Sequence, residues 1–361
     1  MQTQTAPERA LVEPNIRAFA NALDALKREV EADLGDPDRR HIQRIRKLSR
    51  ALEFSGRGLL HISIEPLTFA AGVFALSLHK CLELMEIGHM ALHGAYEGLC
   101  PEDPMLAEQF VWKAPIDEAC WRREHNVRHH QYTNIAGRDP DVDFGQMRLV
   151  PSIAFKPAHR FQPITNLLTW FGFATAINIH ITGVLAPAGM CHDPPRARSG
   201  EPRTPRRAFF AKAARYYAKE FVFYPLLAGP FFGKVALGNL LSDVARDLCA
   251  GSIIYCGHVG AADYPEGTRA GSRARWYVMQ AESASNVELP RALSILCGGL
   301  DKQIEHHLFP RLPPNRLRQI APRVRALCAR YGVAYRSAPW LESVVGVLRN
   351  LFAMSRAPAV A

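Results

Sequence analysis

The sequence predicts an all-α integral membrane protein: a bundle of about four apolar helices under a cytosolic helical cap that holds a histidine-rich metal site. Three observations support this. Long apolar runs alternate with strongly basic stretches, seven of the 14 His fall in three tight clusters, and both outer segments show helical apolar spacing. The average composition hides the pattern. With 361 residues, 44 Lys+Arg against 34 Asp+Glu, 48% hydrophobic and 22% charged residues, and a mean hydropathy of −0.10, the chain reads as a basic soluble protein. That average excludes disorder, a collagen-like fibre and a small disulfide scaffold. It leaves open a membrane enzyme, a basic nucleic-acid binder and a soluble helical enzyme, because apolar spans and Arg-rich flanks average towards zero.

Residues 1–58 are expected to form a basic, helical cytosolic segment, with Ile16, Phe19, Ala20, Leu23 and Leu26 at helical spacing. Met1 to Phe19 shows no charged-then-apolar export signal. Residues 59–310 read as the membrane domain. Leu59 to Met85 carries only Glu65, Lys80 and Glu83 as formal charges, and Pro163 to Met190 carries none. Phe221 to Leu241 has only Lys234, and Val244 to Val259 has Arg246 and Asp247 near its start. Crossing ~30 Å of hydrocarbon takes about 20 mostly apolar residues, so the first three runs qualify and the fourth is marginal. The basic stretches Arg39 to Arg57, Arg196 to Lys219 and Arg311 to Arg330 belong on the cytoplasmic face by the positive-inside rule. Residues 311–361 read as cytosolic amphipathic helices, with Leu317, Ile320, Val324, Leu327 and Tyr331 on one face closing over the site. Cys191 to Pro205, rich in Pro and Arg, reads as a surface connection. The eight Cys form no CxxC pair, and the chain has no GxGxxG or GxxxxGK[ST] phosphate loop.

Histidine placement is the chemical signal. His89 and His93 form one cluster, His125, His129 and His130 a second, and His306 and His307 a third. Residues four apart share a helix face, so His89/His93 and His125/His129 can each aim two imidazoles at a common point. An adjacent pair can turn its second ring towards a neighbouring metal. Neutral imidazole is the commonest metal ligand. A single zinc takes three or four ligands, so seven or more suggest two metals. No HExxH is present, and only Glu86 with His89 has the Glu-x-x-His spacing of soluble di-iron bundles. The expected centre is therefore imidazole-rich and carboxylate-poor. His41, His61, His79, His159, His180 and His192 read as satisfied polar groups.

These segments resemble the three histidine boxes of the membrane fatty acid desaturases, in the branch whose third box begins with Gln. Glu86-Ile-Gly-His-Met-Ala-Leu-His-Gly94 is similar to the first box. His125-Asn-Val-Arg-His-His-Gln-Tyr-Thr-Asn134, followed by Asp139 to Gly145, is similar to the second and its continuation. Gly298-Gly-Leu-Asp-Lys-Gln-Ile-Glu-His-His-Leu-Phe-Pro310 is similar to the third, and Cys256-Gly-His258 to an element that supplies a further His. The resemblance runs from about Arg57 to about Tyr335. It implies a non-haem di-iron site held by His89, His93, His125, His129, His130, His258, His306 and His307. Gln303 stands where other branches carry a His and is a weaker candidate ligand. Where relatives can have an Asn one turn before His258, this chain has Ile254. Glu86 and Glu305 are candidates to orient a box imidazole, and so are Asp139, Asp141 and Asp143, although a solvated loop carboxylate is at least as common a role for each Asp. Trp112 and Trp121 fit an acyl channel wall or an interfacial anchor.

The resemblance further implies O2-dependent formation of a double bond in a long-chain acyl group, carried as acyl-CoA or membrane lipid. Taking hydrogen from an unactivated methylene is beyond any side-chain acid or base, so a redox metal must carry the step. The chain has no His-Pro-Gly-Gly of a fused cytochrome b5. Electrons are therefore expected from a separate ferredoxin- or flavin-type reductase, and a basic surface suits an acidic donor. Hydroxylases and monooxygenases share such a site, but the Gln-Ile-Glu-His-His-Leu-Phe-Pro form favours desaturation. A nucleic-acid binder explains the charge of +10 and neither the apolar runs nor the histidines. One-sided boxes require an even number of crossings between His130 and His306, where three apolar runs lie. The expected resolution is a re-entrant or interfacial Pro163 to Met190 and a hairpin around Gly238 to Asp243.

Overall fold

The computed structural model describes residues 12–102, 105–144, 147–185 and 204–357. His192, Gly145, residues 186–190 of the uncharged run and most of the Cys191 to Pro205 connection lie outside them. The chain opens with α1 (Glu13–Ala32) and α2 (Asp36–Ile62), followed by α3, one unbroken helix over Pro66–Leu92. All three begin with Pro in the first turn, where the missing N–H costs nothing. Glu65 caps α3 by accepting the amides of Leu67 and Thr68 at 2.6 Å. Helix α4 (118–132) carries the second box, capped by Asp117. Next come α5 (Gln162–Phe171), α6 (Phe173–Thr182), α7 (205–227) and α8 (Phe232–His258). The remaining helices are α9 (Arg273–Glu282), α10 (Arg291–Leu296), α11 (Gln303–Leu308), α12 (Pro314–Tyr331) and α13 (Trp340–Met354).

The fold is mostly helical but not all-α. Strands β1 (Asp143–Phe144) and β2 (Met147–Arg148) pair antiparallel, while β3 (Asn286–Glu288) and β4 (Ser337–Pro339) pair in parallel. The second pair ties the chain before the third box to the start of α13.

Helices α2, α3 and α8 have 27 residues each, about 40 Å of helix. They pack closely because small residues sit at their crossings. A Cβ on Gly56 would lie 2.8 Å from the amide nitrogen of Leu76, and one on Gly238 would lie 2.6 Å from the Leu60 side chain. On the cap side, Ile16, Phe19, Leu23 and Leu26 of α1 share one core with Leu317, Ile320 and Val324 of α12 and Tyr277 of α9. Residue 58 thus falls inside a continuous helix, and the first and last segments share a core with the box-one helix.

The expected count of about four apolar spans is not confirmed. Among the described residues, Pro66–Leu92 alone is long and apolar enough to cross a membrane. The uncharged run is broken at Gly172 into two ten-residue helices of about 15 Å each, half a bilayer core. The hairpin lies at Gly229–Phe231, and Gly238 to Asp243 is the interior of α8. The polarity that suggested a turn there is buried pairing: Lys80 Nζ lies 2.7 Å from Asp243, whose carboxylate also meets Tyr216 and Arg246, and Arg246 pairs with Asp247 at 2.8 Å. These groups lower the hydropathy of α8 without exposing it to water. An apolar surface remains nonetheless. Leu67, Phe74, Ile164, Leu168, Phe223, Leu226, Leu227 and Phe231 are all exposed, far more than water-facing helices ordinarily show.

Candidate metal centre

Boxes one and two fold into π-helical turns, at Glu83–His89 and Arg122–His129, with the α-helix resuming immediately after each. Such turns insert an extra residue into a helix and are frequent at functional sites. Trp112 packs directly on the first one. A Cβ on Gly88 would fall 1.9 Å from its indole nitrogen, which donates to the Glu83 carbonyl at 3.0 Å. Gly298 (φ 62°), at the start of the third box segment, presses its backbone onto the same turn; a Cβ there would lie 2.5 Å from the Met85 carbonyl carbon. Only glycine allows these approaches.

All eight predicted histidines come together. His89, His93, His125 and His306 form one set whose ring nitrogens lie within 4.8 Å of one another, and His129, His258 and His307 form a second. In the first set, His89 Nε2 lies 3.1 Å from His93 Nε2 and 3.2 Å from His306 Nε2. In the second, His307 Nε2 lies 3.2 Å from His258 Nε2. His130 sits between them, its Nε2 3.2 Å from His125 Nε2 and its ring stacked on His307 at 4.4 Å. The expected pairing of His125 with His129 is met in part: their rings stack at 5.1 Å and, with Asp141, they form a third group whose ligand atoms lie within 4.8 Å of one another. In a π turn the fifth residue also returns to the same side, so His125 Nε2 meets His130 Nε2 at 3.2 Å, while His129 reaches the second set as well.

The separations fit shared metal ions. A metal about 2.1 Å from two imidazole nitrogens leaves them roughly 3.0–3.4 Å apart for angles between 90° and 109°. His129 Nε2, aimed into the second set, is buried without a hydrogen-bond partner. Imidazole donors suit iron, zinc or copper, and the near absence of carboxylates disfavours magnesium and calcium.

A surrounding shell fixes the rings. Asp139 accepts from His129 Nδ1 at 3.0 Å and from the amides of Asn134 and Asp141 at 2.7 and 2.9 Å. Burial works against a charged His129, but Asp139 and Asp141 outweigh it and hold the ring up at about 9. By contrast burial, reinforced by neighbouring imidazoles, holds His125, His130, His306 and His307 well below the usual range, in the neutral form that ligates metal. Gln280 Oε1 lies 3.0 Å from His307 Nδ1, with Thr133 Oγ1 at 3.2 Å, and the Ser283 carbonyl lies 3.3 Å from His258 Nδ1. Gln303 Nε2 lies 2.8 Å from His258 Nε2, so the amide sits in the second set.

Other expectations fare differently. Glu86 bonds His41 at 2.7 Å and Arg318 at 2.6 Å, and Glu305 bonds Asn286 and Tyr335; neither holds a box imidazole. Both point away from the rings and tie box one to α2 and α12, and box three to β3. Asp141 lies 3.4 Å from His129, while the Asp143 side chain is outside the described set. Trp112 and Trp121 are buried rather than interfacial, and Trp121 stacks on His125 at 4.3 Å. His41, His61, His79, His159 and His180 each have a partner outside the clusters. Gln280, Thr133 and Ser283 were not found from sequence. Thr133 lies inside the box-two motif, whereas nothing in the pattern marks Gln280 or Ser283.

Comparison with known proteins agrees with this geometry. The fatty acid desaturase family matches residues 65–339. An NADPH-dependent stearoyl-CoA 9-desaturase of Mycobacterium tuberculosis is 33% identical over 96% of this chain and 81% of its own. An sn-1 linoleoyl-lipid 6-desaturase of Synechocystis is 24% identical over 80% of this chain and 83% of its own, and fatty acid desaturase 3 of Bos taurus is 28% identical over 79% and 61%. No solved structure matches. With its histidines gathered into two metal-competent sets and three quarters of its length matching, the chain belongs to the fatty acid desaturase family.

Proposed function

We propose that this desaturase forms a double bond in a long-chain acyl group, delivered as acyl-CoA or as a membrane lipid ester, using O2 at a non-haem di-iron centre. The ligands in this reading are His89, His93, His125, His130 and His306 for one iron and His129, His258 and His307 for the other, with the Gln303 amide beside the second. The observation behind it is the convergence of eight imidazoles, six of them buried and His125 and His258 half-buried, into two adjoining sets, with His130 against both. Bound there, iron would supply O2 activation and one-electron chemistry that no side chain can provide.

The protein's own part is positional. Asp139, Gln280, Thr133 and the Ser283 carbonyl hold three rings through their Nδ1 atoms, which leaves Nε2 free to ligate. Burial keeps most of the imidazoles neutral, and Trp112, Trp121 and Gly298 close the centre to water from the box-one side.

In this reading the site lies on the cytoplasmic face of an integral membrane domain. Helices α3 and α8 both run from the exposed apolar surface towards the histidines, and basic segments flank that end. Electrons come from a separate ferredoxin- or flavin-type reductase. The name of the mycobacterial relative, which includes NADPH dependence, is consistent with that supply. The test is fatty-acid profiling by gas chromatography–mass spectrometry after expression in a host lacking the activity. A new unsaturated acyl chain supports the proposal, and a new hydroxy acid would replace it with an oxygenase.

A further inference from the structure

We propose that the shallow basic groove over His130 is the docking surface of an acidic electron-transfer protein, of iron–sulfur or flavin type, through which reducing electrons enter. This rests on the di-iron reading above and adds where the reductant binds. The groove, of about 730 Å³, runs between Asn126, His130 and Gln131 on one side and Arg273, Trp276 and Pro310 on the other. A smaller depression of about 180 Å³ continues from it past Gln131 and Trp276 to Arg138, Arg269 and Gln280.

Charge, position and shape each favour this occupant. No carboxylate lines either depression, while three Arg do. Arg269 is exposed, and Arg138 lies over the Tyr132 ring at 4.9 Å. Two acids stand close by: Asp24, paired with Arg273 at 2.6 Å, and Glu266, against Gly137. His130 is the one box imidazole that lines the groove. Its ring stacks on His307 at 4.4 Å and its Nε2 meets His125 at 3.2 Å, so an electron arriving there is in contact with both sets. An open, shallow groove encloses too little of a long acyl chain to hold it and suits the surface of a docked protein better. A basic rim steers an acidic partner towards it.

The electron count closes. Two reduced one-electron donors are oxidised per turnover, two protons come from water, and O2 with the two hydrogens lost by the acyl chain leaves as two waters.

The test uses the full chain in lipid nanodiscs with a plant-type two-iron ferredoxin as the acidic probe. Arg138→Glu/Arg269→Glu reverses two charges, and Arg138→Gln/Arg269→Gln is the milder pair should the first fold poorly. Ferredoxin affinity for the metal-free protein, and its oxidation rate with iron-loaded protein, should each fall about tenfold at low salt in the Glu pair. The difference should shrink at high salt, where screening weakens the contact, and the Gln pair should lie between. Turnover driven by reduced methyl viologen and the KM for acyl-CoA should not change. Unchanged ferredoxin affinity would overturn the docking surface. So would a rise in acyl-CoA KM alone, which would give the arginines to the carrier's phosphates. If the unmodified, iron-loaded protein fails to turn over even with methyl viologen, the di-iron reading itself falls and this proposal with it.

Discussion

Asp139→Asn tests most directly how the second histidine set is held. The Asp139 carboxylate is fully buried and engages three donors, the His129 ring at 3.0 Å and the amides of Asn134 and Asp141 at 2.7 and 2.9 Å. An asparagine keeps the shape but offers one acceptor oxygen, so its NH2 must face at least one N–H. That leaves a buried donor unsatisfied, at a cost of about 1–3 kcal/mol. It also removes the charge that orients His129, a change that at metal sites lowers affinity about 10–100-fold, or roughly 1.4–2.7 kcal/mol. The assay is iron retained per chain against a graded chelator, with thermal stability of the metal-free protein measured in parallel. Asp141→Asn, whose carboxylate sits 3.4 Å from His129 and is part-exposed, should cost less. If Asp139→Asn retains iron as well as the unmodified protein does, His129 is not a ligand held by this carboxylate and the two-set arrangement is wrong.

Three further outcomes follow from other contacts. His307→Ala should abolish iron loading and desaturation while the protein still inserts in membranes; retained desaturation would refute the ligand assignment. Gly88→Ala forces a methyl into the Trp112 indole, and overpacking of this kind costs about 1–3 kcal/mol, so the melting temperature and the iron content should both fall. Unchanged melting would mean that the contact gives way freely. Asp38→Asn breaks a pair with Arg316 at 2.6 Å; because Arg316 keeps Asp33 at 2.6 Å, a loss of about 1–3 kcal/mol is expected. Burial raises the Asp38 carboxyl, but Arg316, Asn315 and the Gly35 amide together hold it below its usual value. Its stabilisation is therefore full above the unfolded pKa of about 3.9 and is lost as pH falls through the lower folded value. Stability curves of the two proteins should converge at acid pH, and a constant gap would count against the pair.

Much of the candidate site was legible along the chain. The donor residues are local motifs, and no rearrangement of the fold changes which side chains are imidazoles. The Ile16–Leu26 and Leu317–Val324 faces likewise follow from helical spacing, and they do form one core. What could not be read is how the donors divide. His125 and His129 are four apart and do stack on one face, yet the π turn at Arg122–His129 also brings His125 against His130 and lets His129 join His258 and His307. That turn is tied to the box-one helix by Asn126, whose side-chain amide donates to the Leu92 carbonyl at 2.8 Å. The carboxylates show the same limit: Glu86 and Glu305 adjoin box histidines in sequence, yet they point to His41, Arg318, Asn286 and Tyr335, while Asp139, ten residues from His129, is its partner.

Sequence alone determined the chemistry of this protein, because ligand type and apolar content are properties of the residues themselves. Tertiary structure decided which imidazoles share a metal, which acid holds which ring, and that α8 runs unbroken through its buried charges. Each of these depends on contacts between segments as far apart as Lys80 and Asp243 or Thr133 and His307, and a local pattern carries no record of them.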